Sequence, residues 1–306
     1  MQVAEELAAF VPEKGTVLTI GVFDGVHLGH QHLISQLKYH ATQRDLLGGV
    51  ITFQDHPRLA LSPQTKLPYL TSPEERIALL RGLGVELVIA LSFSPELAQL
   101  SAHEFTTLLQ KHLNMQGLVI GPDFALGRGR EGDIATLSTL GKELHFSVEA
   151  VTPIALDGEI VSSTAIRRAL AEGDVLKVSK LVGRHYGLKG MIVPGVERGR
   201  VLGFPTANID VDPGRALPAD GVYATLAYIK GEVHSSVTNI GTRPTFGEGG
   251  RTIEVYLLNY EGDLYGHELR IELVRRLRGE MRFATGDDLK AQIRKDAEQA
   301  RVILEA

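Results

Sequence analysis

The 306-residue chain is 43% hydrophobic and 23% charged, with a formal net charge of -5. This describes a globular protein longer than one usual domain and argues against a general nucleic-acid or membrane-surface binder. The absence of cysteine excludes disulfides and thiolate metal sites and fits a reducing compartment. The first residues, Met1-Gln-Val-Ala-Glu-Glu-Leu7, lack the basic n-region of a signal peptide. No apolar run approaches the roughly 20 residues that a membrane helix needs. A cytoplasmic address, with neither nucleic acid nor membrane as partner, is the expectation.

In chain order, residues 17–22 read as an apolar strand and 30–43 as a helix. Residues 49–53 are a second strand. Ser72-Pro-Glu-Glu75 opens a helix with an N-cap serine, a first-turn proline and a glutamate three residues on; Gly82 and Gly84 stop it. A strand over 85–91 follows. Ser101-Ala-His-Glu104 is a second capping box, opening a helix to about Leu113. Residues 118–120, 133–144 and 146–151 read as strand, helix and strand. This alternation predicts a doubly wound parallel sheet of Rossmann-like form, with ligands beyond the carboxyl ends of its strands. Residues 163–171 and 175–181 are short bridging helices. Beyond about Val182 come alternating segments over 222–229, 233–239, 251–258 and 269–277. They predict an antiparallel β-barrel, and a terminal helix over 287–304 packs on it. The domains expected are 1–182 and 183–306.

Three pieces of the first part form one constellation. Gly21-Val-Phe-Asp-Gly-Val-His-Leu-Gly-His30 carries a strand into a helix. His27 and His30 share one side of the first turn, where backbone N–H groups and the positive helix end favour a polyphosphate. Asp24 belongs to the same turn. Gly121-Pro-Asp-Phe-Ala-Leu-Gly-Arg-Gly-Arg130 follows a strand, and Arg128 and Arg130 there are candidate phosphate holders. Val161-Ser-Ser-Thr-Ala-Ile-Arg167 opens a helix whose hydroxyls, N–H groups and Arg167 make a second anion corner. Each piece alone also reads as structure: a solvated histidine pair, a surface loop, a helix cap.

The second part has its own constellation in Arg198-Gly-Arg-Val-Leu-Gly-Phe-Pro-Thr-Ala-Asn208. Thr206 and Asn208 are two apart, so in extended backbone their oxygens share a side and suit Mg²⁺ beside a phosphate. Gly199 and Gly203 leave room for phosphates. Glu254, in Arg251-Thr-Ile-Glu-Val-Tyr-Leu-Leu258, shares a face with Tyr256 and is placed to accept a proton from a substrate hydroxyl. No Gly-x-x-x-x-Gly-Lys-[Ser/Thr] loop, Gly-x-Gly-x-x-Gly fingerprint or Gly-x-Ser-x-Gly elbow is present. Direct transfer between bound substrates is therefore favoured over a covalent enzyme intermediate.

The His27–His30 segment, Thr52-Phe-Gln-Asp-His-Pro57, Gly121-Pro-Asp-Phe124 and Ser162-Ser-Thr-Ala-Ile-Arg167 resemble the adenylyltransferase half of the bacterial bifunctional riboflavin kinase/FAD synthetase family. Gly203-Phe-Pro-Thr-Ala-Asn208, Gly221-Val-Tyr223, Asn239-Ile-Gly241, Glu254 and Asp263-Leu-Tyr-Gly266 resemble its kinase half. The resemblance spans essentially the whole chain in the family's order. It implies that ATP phosphorylates riboflavin to FMN, and that a second ATP adenylylates FMN to FAD with release of pyrophosphate. It implies Glu254 as catalytic base, and catalytic roles for His27, His30 and Arg167. It implies nucleotide or phosphate contacts from Gly21, Phe23, Asp24, Gly29, Asp123, Ser163, Thr164, Gly203, Thr206 and Asn208, with Mg²⁺ on Thr206 and Asn208. Flavin contacts are implied for His56, Pro57, Phe124 and Arg278. Two positions depart from the pattern: Leu126 replaces a common second aromatic, and Tyr256 a common histidine. A single-activity nucleotidyltransferase with a non-catalytic barrel, and a non-enzymatic flavin-binding module, are the alternatives.

Overall fold

The alternating signals of the first part become a parallel sheet in the computed structural model, which describes residues 2–61, 64, 67–194, 203–242, 251–260, 262 and 264–305. By backbone contacts the chain divides into two compact units, Met1–Ser163 and Thr164–Ala306.

The first unit runs α1 (Gln2–Ala8), β1 (Thr16–Ile20), α2 (Leu28–Gln43), β2 (Leu47–Phe53), α3 (Pro57–Leu61), α4 (Pro73–Gly82), β3 (Leu87–Leu91), α5 (Pro95–Gln99), α6 (Ala102–Leu113), β4 (Met115–Ile120), α7 (Ile134–Leu144) and β5 (Ser147–Ala150). A short hairpin, β6 (Ala155–Leu156) and β7 (Glu159–Ile160), follows. The sheet order is β3-β2-β1-β4-β5, and every pairing in it is parallel. Successive strand residues face opposite sides. Val17, Val50, Val88 and Val119 pack with Ile34, Leu37 and Ala41 of α2 and Leu80 of α4. Leu18, Ile51, Ile89, Leu91 and Leu118 pack on the other side with Leu7 of α1, Phe105 and Leu109 of α6 and Leu137 of α7. Each such side chain removed from water contributes about 1.5–3 kcal/mol before conformational entropy is counted. The order reverses beside β1, whose neighbours are β2 and β4. The turn after β1 therefore opens at a topological switch point, where sheets of this kind leave a crevice.

Both expected capping boxes are present: Ser72 with Glu75 starts α4, and Ser101 with Glu104 starts α6. One boundary differs from expectation. Helix α2 begins at Leu28 rather than near His30, because the ring of His27 itself caps it.

The second unit holds α9 (Val175–Val182) and most of α8 (Ser163–Glu172), then a closed barrel and α10 (Gly286–Leu304). The barrel strands are β8 (Tyr186–Val193), β9 (Ala207–Asp210), β10 (Gly221–Ile229), β11 (Glu232–Thr242), β12 (Arg251–Leu257) and β13 (Glu268–Arg278), closed in the order β10-β11-β12-β9-β8-β13. The four alternating segments expected from sequence are β10 to β13. Strand β8 was not anticipated, and β9 only as extended backbone at Thr206–Asn208. Val222, Ala224, Val237 and Leu258 on the barrel's outer face are covered by Ala297 and Ala300 of α10.

Strand β8 carries Gly190 where the β9 backbone comes closest. A Cβ there would lie 1.9 Å from the carbonyl oxygen of Asp210. Because the obstacle is backbone, a side chain cannot be accommodated by rotation. Gly190→Ala is expected to destabilise the barrel by about 1–3 kcal/mol or more, read as a lower urea midpoint. A midpoint unchanged within error would contradict this strand approach.

Candidate active sites

The first site is built on the turn after β1. It needs unusual backbone: Phe23 and Val26 have φ of 53° and 40°. Strain of this kind costs about 1–3 kcal/mol per residue and persists only where surroundings enforce it. Here the enforcer is Asp24, 3% exposed. Its carboxylate accepts hydrogen bonds from the Leu70 N–H at 2.8 and 3.0 Å and from the Thr71 N–H at 3.0 Å, and the Thr71 hydroxyl at 3.3 Å adds a fourth. Thr71 Oγ1 in turn accepts from the Gly25 N–H at 3.0 Å. Ser163 Oγ donates to the Asp24 carbonyl at 2.9 Å. Asp24, expected among the phosphate contacts, is thus placed as the anchor of the turn, with its oxygens directed into the protein.

The histidines stack. Their ring centroids are 3.6 Å apart with planes 18° apart. His27 is 6% exposed, and its Nδ1 accepts the His30 backbone N–H at 3.3 Å. That bond assigns the neutral His27 proton to Nε2, leaving an N–H on the far ring edge. The ring of Phe23 meets His30 edge-on at 5.0 Å. Burial, then the neighbouring His27 and the Arg76 guanidinium, hold His30 well below the usual imidazole value of 6.5. His30 is therefore a neutral imidazole at physiological pH, stacked on His27. Gly29 permits the stack: a Cβ there would press on the His27 ring and on the Val161 carbonyl, each at 3.1 Å.

The other expected residues take definite places in their own elements. Thr52 donates to the Val22 carbonyl at 3.0 Å, tying the end of β2 to the turn. His56 Nδ1 accepts the Arg58 N–H at 3.1 Å, and Pro57 begins α3. After β4, a turn closes with the Phe124 N–H on the Gly121 carbonyl at 3.2 Å, and Asp123 is exposed. Arg130 donates to the Asp123 carbonyl at 2.8 Å. Phe124 is half-buried against the core, and Leu126 is buried within it. Ser163 starts α8, and Thr164 and Arg167 continue that helix, Arg167 one turn beyond Ser163.

The second site is a single level of the barrel. Cross-strand register aligns Arg278 with Val222, Val222 with Asn239, Asn239 with Glu254, Glu254 with Asn208, and Asn208 with Val193. Residues directly opposite each other project to one face. Asn239, Glu254 and Asn208 thus stand side by side on three strands. Asn208 is 8% exposed, and Glu254 and Asn239 are half-buried. Thr206 immediately precedes β9. Phe204 of the same segment meets the ring of Tyr256 edge-on at 5.5 Å. Tyr256 and Glu254 share a strand face. The aromatic that departs from the family pattern therefore pins the Gly203–Asn208 segment beside the carboxylate. Gly199 and Asp263 lie outside the described residues.

Arg278, expected at the flavin, is committed to the terminal helix. Its Nε and Nη2 grip the carboxylate of Asp296 at 2.8–3.1 Å, and Nη1 donates to the Gly279 carbonyl at 3.0 Å. Sequence reasoning assigned no role to two residues, Asn239 and Arg76. Asn239 was visible through strand alternation once Glu254 was chosen. Arg76 shares the buried face of α4 with Leu80; a charged residue on an apolar helix face was the available signal.

The histidine result sets a stability prediction. Above pH 6.5, His30 is neutral folded or unfolded. As pH falls through 6.5, the unfolded chain takes up a proton that the folded site refuses, so stability drops until the folded imidazole also protonates. Thermal unfolding on either side of that value should show this loss, and His30→Gln should flatten it. An unchanged slope would contradict the lowered proton affinity of His30.

A turn suited to polyphosphate on a parallel sheet, and an Asn–Glu–Asn row on a barrel, coincide with two family models. One described as FAD synthetase matches residues 11–165, and one described as riboflavin kinase matches residues 182–304. The chain is 40% identical over 293 residues to the bifunctional riboflavin kinase/FMN adenylyltransferase of Escherichia coli, covering 95% of this chain and 93% of that one. It is 39% identical over 306 residues to the protein of the same name from Pseudomonas fluorescens, covering 99% and 98%. A crystal structure titled as a macrolide-efflux protein from Streptococcus pneumoniae superposes with a TM-score of 0.90 at 30% identity, covering 98% of this chain and 97% of that one. Among the described residues no helix is long and apolar enough to cross a membrane. Both sites, both family models and relatives aligned over nearly their full length agree: the chain belongs to the bifunctional riboflavin kinase/FMN adenylyltransferase family.

Proposed function

We propose that the chain makes FAD from riboflavin in two ATP-dependent steps, at two separate sites. The observation that carries this reading is the barrel register that sets Glu254 directly opposite Asn208 and beside Asn239. A non-catalytic barrel would have no need of that row. The functional boundary is proposed at 182/183, next to where the riboflavin kinase model begins at residue 182, although the backbone-contact division falls at 163/164. The proposed setting is the cytoplasm, in keeping with a cysteine-free chain.

In the kinase step, the ribityl 5′-hydroxyl of riboflavin attacks the γ-phosphorus of ATP. The new O–P bond forms as the bond to the β-phosphate oxygen breaks, and Glu254 accepts the hydroxyl proton. Gly203 leaves space for the phosphates, with nothing within 4 Å of where a Cβ would stand. Thr206 and Asn208 supply hard oxygens of the type Mg²⁺ takes, the remaining ligands being phosphate and water. When bound there, Mg²⁺ would neutralise charge on the transferring phosphates. Arg278 acts at this site through α10, which it fixes by gripping Asp296.

In the adenylyl step, a phosphate oxygen of FMN attacks the α-phosphorus of ATP, and the bond to pyrophosphate breaks. The imidazoles of His27 and His30 present N–H donors to oxygens whose charge grows as that bond lengthens. Ser163, Thr164 and Arg167 are proposed as further phosphate holders at the start of a helix. Gly21, Phe23, Asp24 and Gly29 shape the turn, and Asp123 borders the nucleotide. His56, Pro57 and Phe124 are proposed to contact the flavin.

The test is incubation with riboflavin and Mg-ATP, followed by chromatographic separation of riboflavin, FMN and FAD. Glu254→Gln should lower FMN formation by about 10²–10⁴-fold, with FAD formation from supplied FMN retained. His30→Ala should do the reverse. FMN without FAD would sink the adenylyl assignment. FAD from FMN but none from riboflavin would sink the kinase assignment, and equal loss of both activities in either folded variant would sink the two-site reading.

A further inference from the structure

Arg76 is 4% exposed, yet it carries a guanidinium. Its Nη2 donates to the carbonyls of Phe53, the last residue of β2, and Gln54, the latter at 3.3 Å. Its Nε is buried with no hydrogen-bond partner among the described residues. A role in packing alone would be met more cheaply by an apolar side chain of similar volume, because a buried ion with an unmet donor is a cost. The two carbonyls it grips immediately precede Asp55, His56 and Pro57. Helix α4, which presents Arg76, follows directly on Leu70 and Thr71, the segment anchored on Asp24 of the histidine turn. One rigid path thus runs from the turn after β1, through the capped start of α4, to the end of β2.

We propose that Arg76 is a positioning residue for adenylyl transfer, holding the segment that carries His56 and Pro57 in fixed relation to the His27–His30 turn. This rests on the adenylyl-transfer reading and names the flavin phosphate as the substrate whose placement depends on it. The geometry is supported by electrostatics. The charged groups around the site are His27 beside His30 and the Asp24, Glu74 and Asp55 carboxylates that act on Arg76. The carboxylates favour the charged guanidinium, while burial opposes it. After burial and the neighbouring His27, that fixed cation further disfavours the imidazolium form of His30.

Two substitutions separate the parts. Arg76→Lys keeps a cation and loses the planar fork. It should raise KM for FMN by about tenfold, leaving kcat and the acid limb of its pH profile in place. Arg76→Met loses both, and should raise KM for FMN while moving the acid limb upward toward the ordinary imidazole range. Riboflavin phosphorylation by the same full-length variants serves as the reference activity. An unchanged KM for FMN in Arg76→Lys overturns the proposal, as does a variant pair that loses thermal stability with FMN kinetics intact. If Arg76→Met does not fold, the lysine variant alone decides. Absence of FAD formation in the unsubstituted protein would instead overturn the adenylyl reading itself.

Discussion

The carboxylate of Asp24 is the constraint on which the nucleotide-handling half depends. A strand leaving the middle of a parallel sheet must reverse into a helix within a few residues, and here it does so with non-glycine residues at positive φ. Nothing in local propensity favours that path. Two backbone donors of Leu70 and Thr71, fixed by the capped start of α4, hold the carboxylate and so hold the turn. Once the turn is set, His27 becomes the cap of α2 and stacks on His30, and Gly29 is the residue that fits between ring and carbonyl. Site geometry follows from one buried anion rather than from the helix dipole alone.

The barrel half solves the same problem by register. No special turn is needed to bring Asn208, Glu254 and Asn239 together, since a one-residue slip of any of the three strands would turn its member to the other face. What must be specified is the pairing. The buried alternation of Ile253, Val255 and Leu257 specifies it from one face, and the α10 cover over Val222, Ala224 and Val237 from the other. The Arg278–Asp296 pair then locks that cover; side-chain exposures of 18% and 4% make it costly to break from either end. The resemblance implied a flavin contact for Arg278; the grip on Asp296 was not visible because sequence is silent on which helix packs beside a strand.

Legibility divided along the same line. Helix starts written in local chemistry, Ser72-Pro-Glu-Glu75 and Ser101-Ala-His-Glu104, were readable because the donors and acceptors lie within four residues. Long alternating strands β10 to β13 were readable for a similar reason. Strand β9 is four residues long, and β8 carries Gly187 and Gly190, so neither shows the alternation that marks a strand. They exist because the barrel's other edges need partners, which is a property of the closed sheet. His27 and His30 were legible as a pair, but the N-cap role of His27 was not, since imidazole is an uncommon cap and the helix start was placed at the second histidine. Arg76 was illegible as a site residue because its partners are the backbone carbonyls of Phe53 and Gln54, far off in sequence, and no pattern announces a carbonyl.

The neutrality of His30 bears on how such a site can be both selective and fast. Cations placed directly on a bound triphosphate stabilise ground state and transition state alike, and so deepen binding more than they speed transfer. Neutral N–H donors held rigidly give less to the resting phosphate charge, and gain most where charge accumulates as the anhydride bond opens. The desolvation of His30, the stacked His27 and the nearby Arg76 all work in that direction. The cation itself is set back, its Nη2 on two carbonyls, and shielded from solvent. It shapes the field at the imidazoles without becoming a phosphate ligand. Strained backbone, a buried anion and a buried cation are each a stability cost, and their concentration around one strand end is what places the chemistry there.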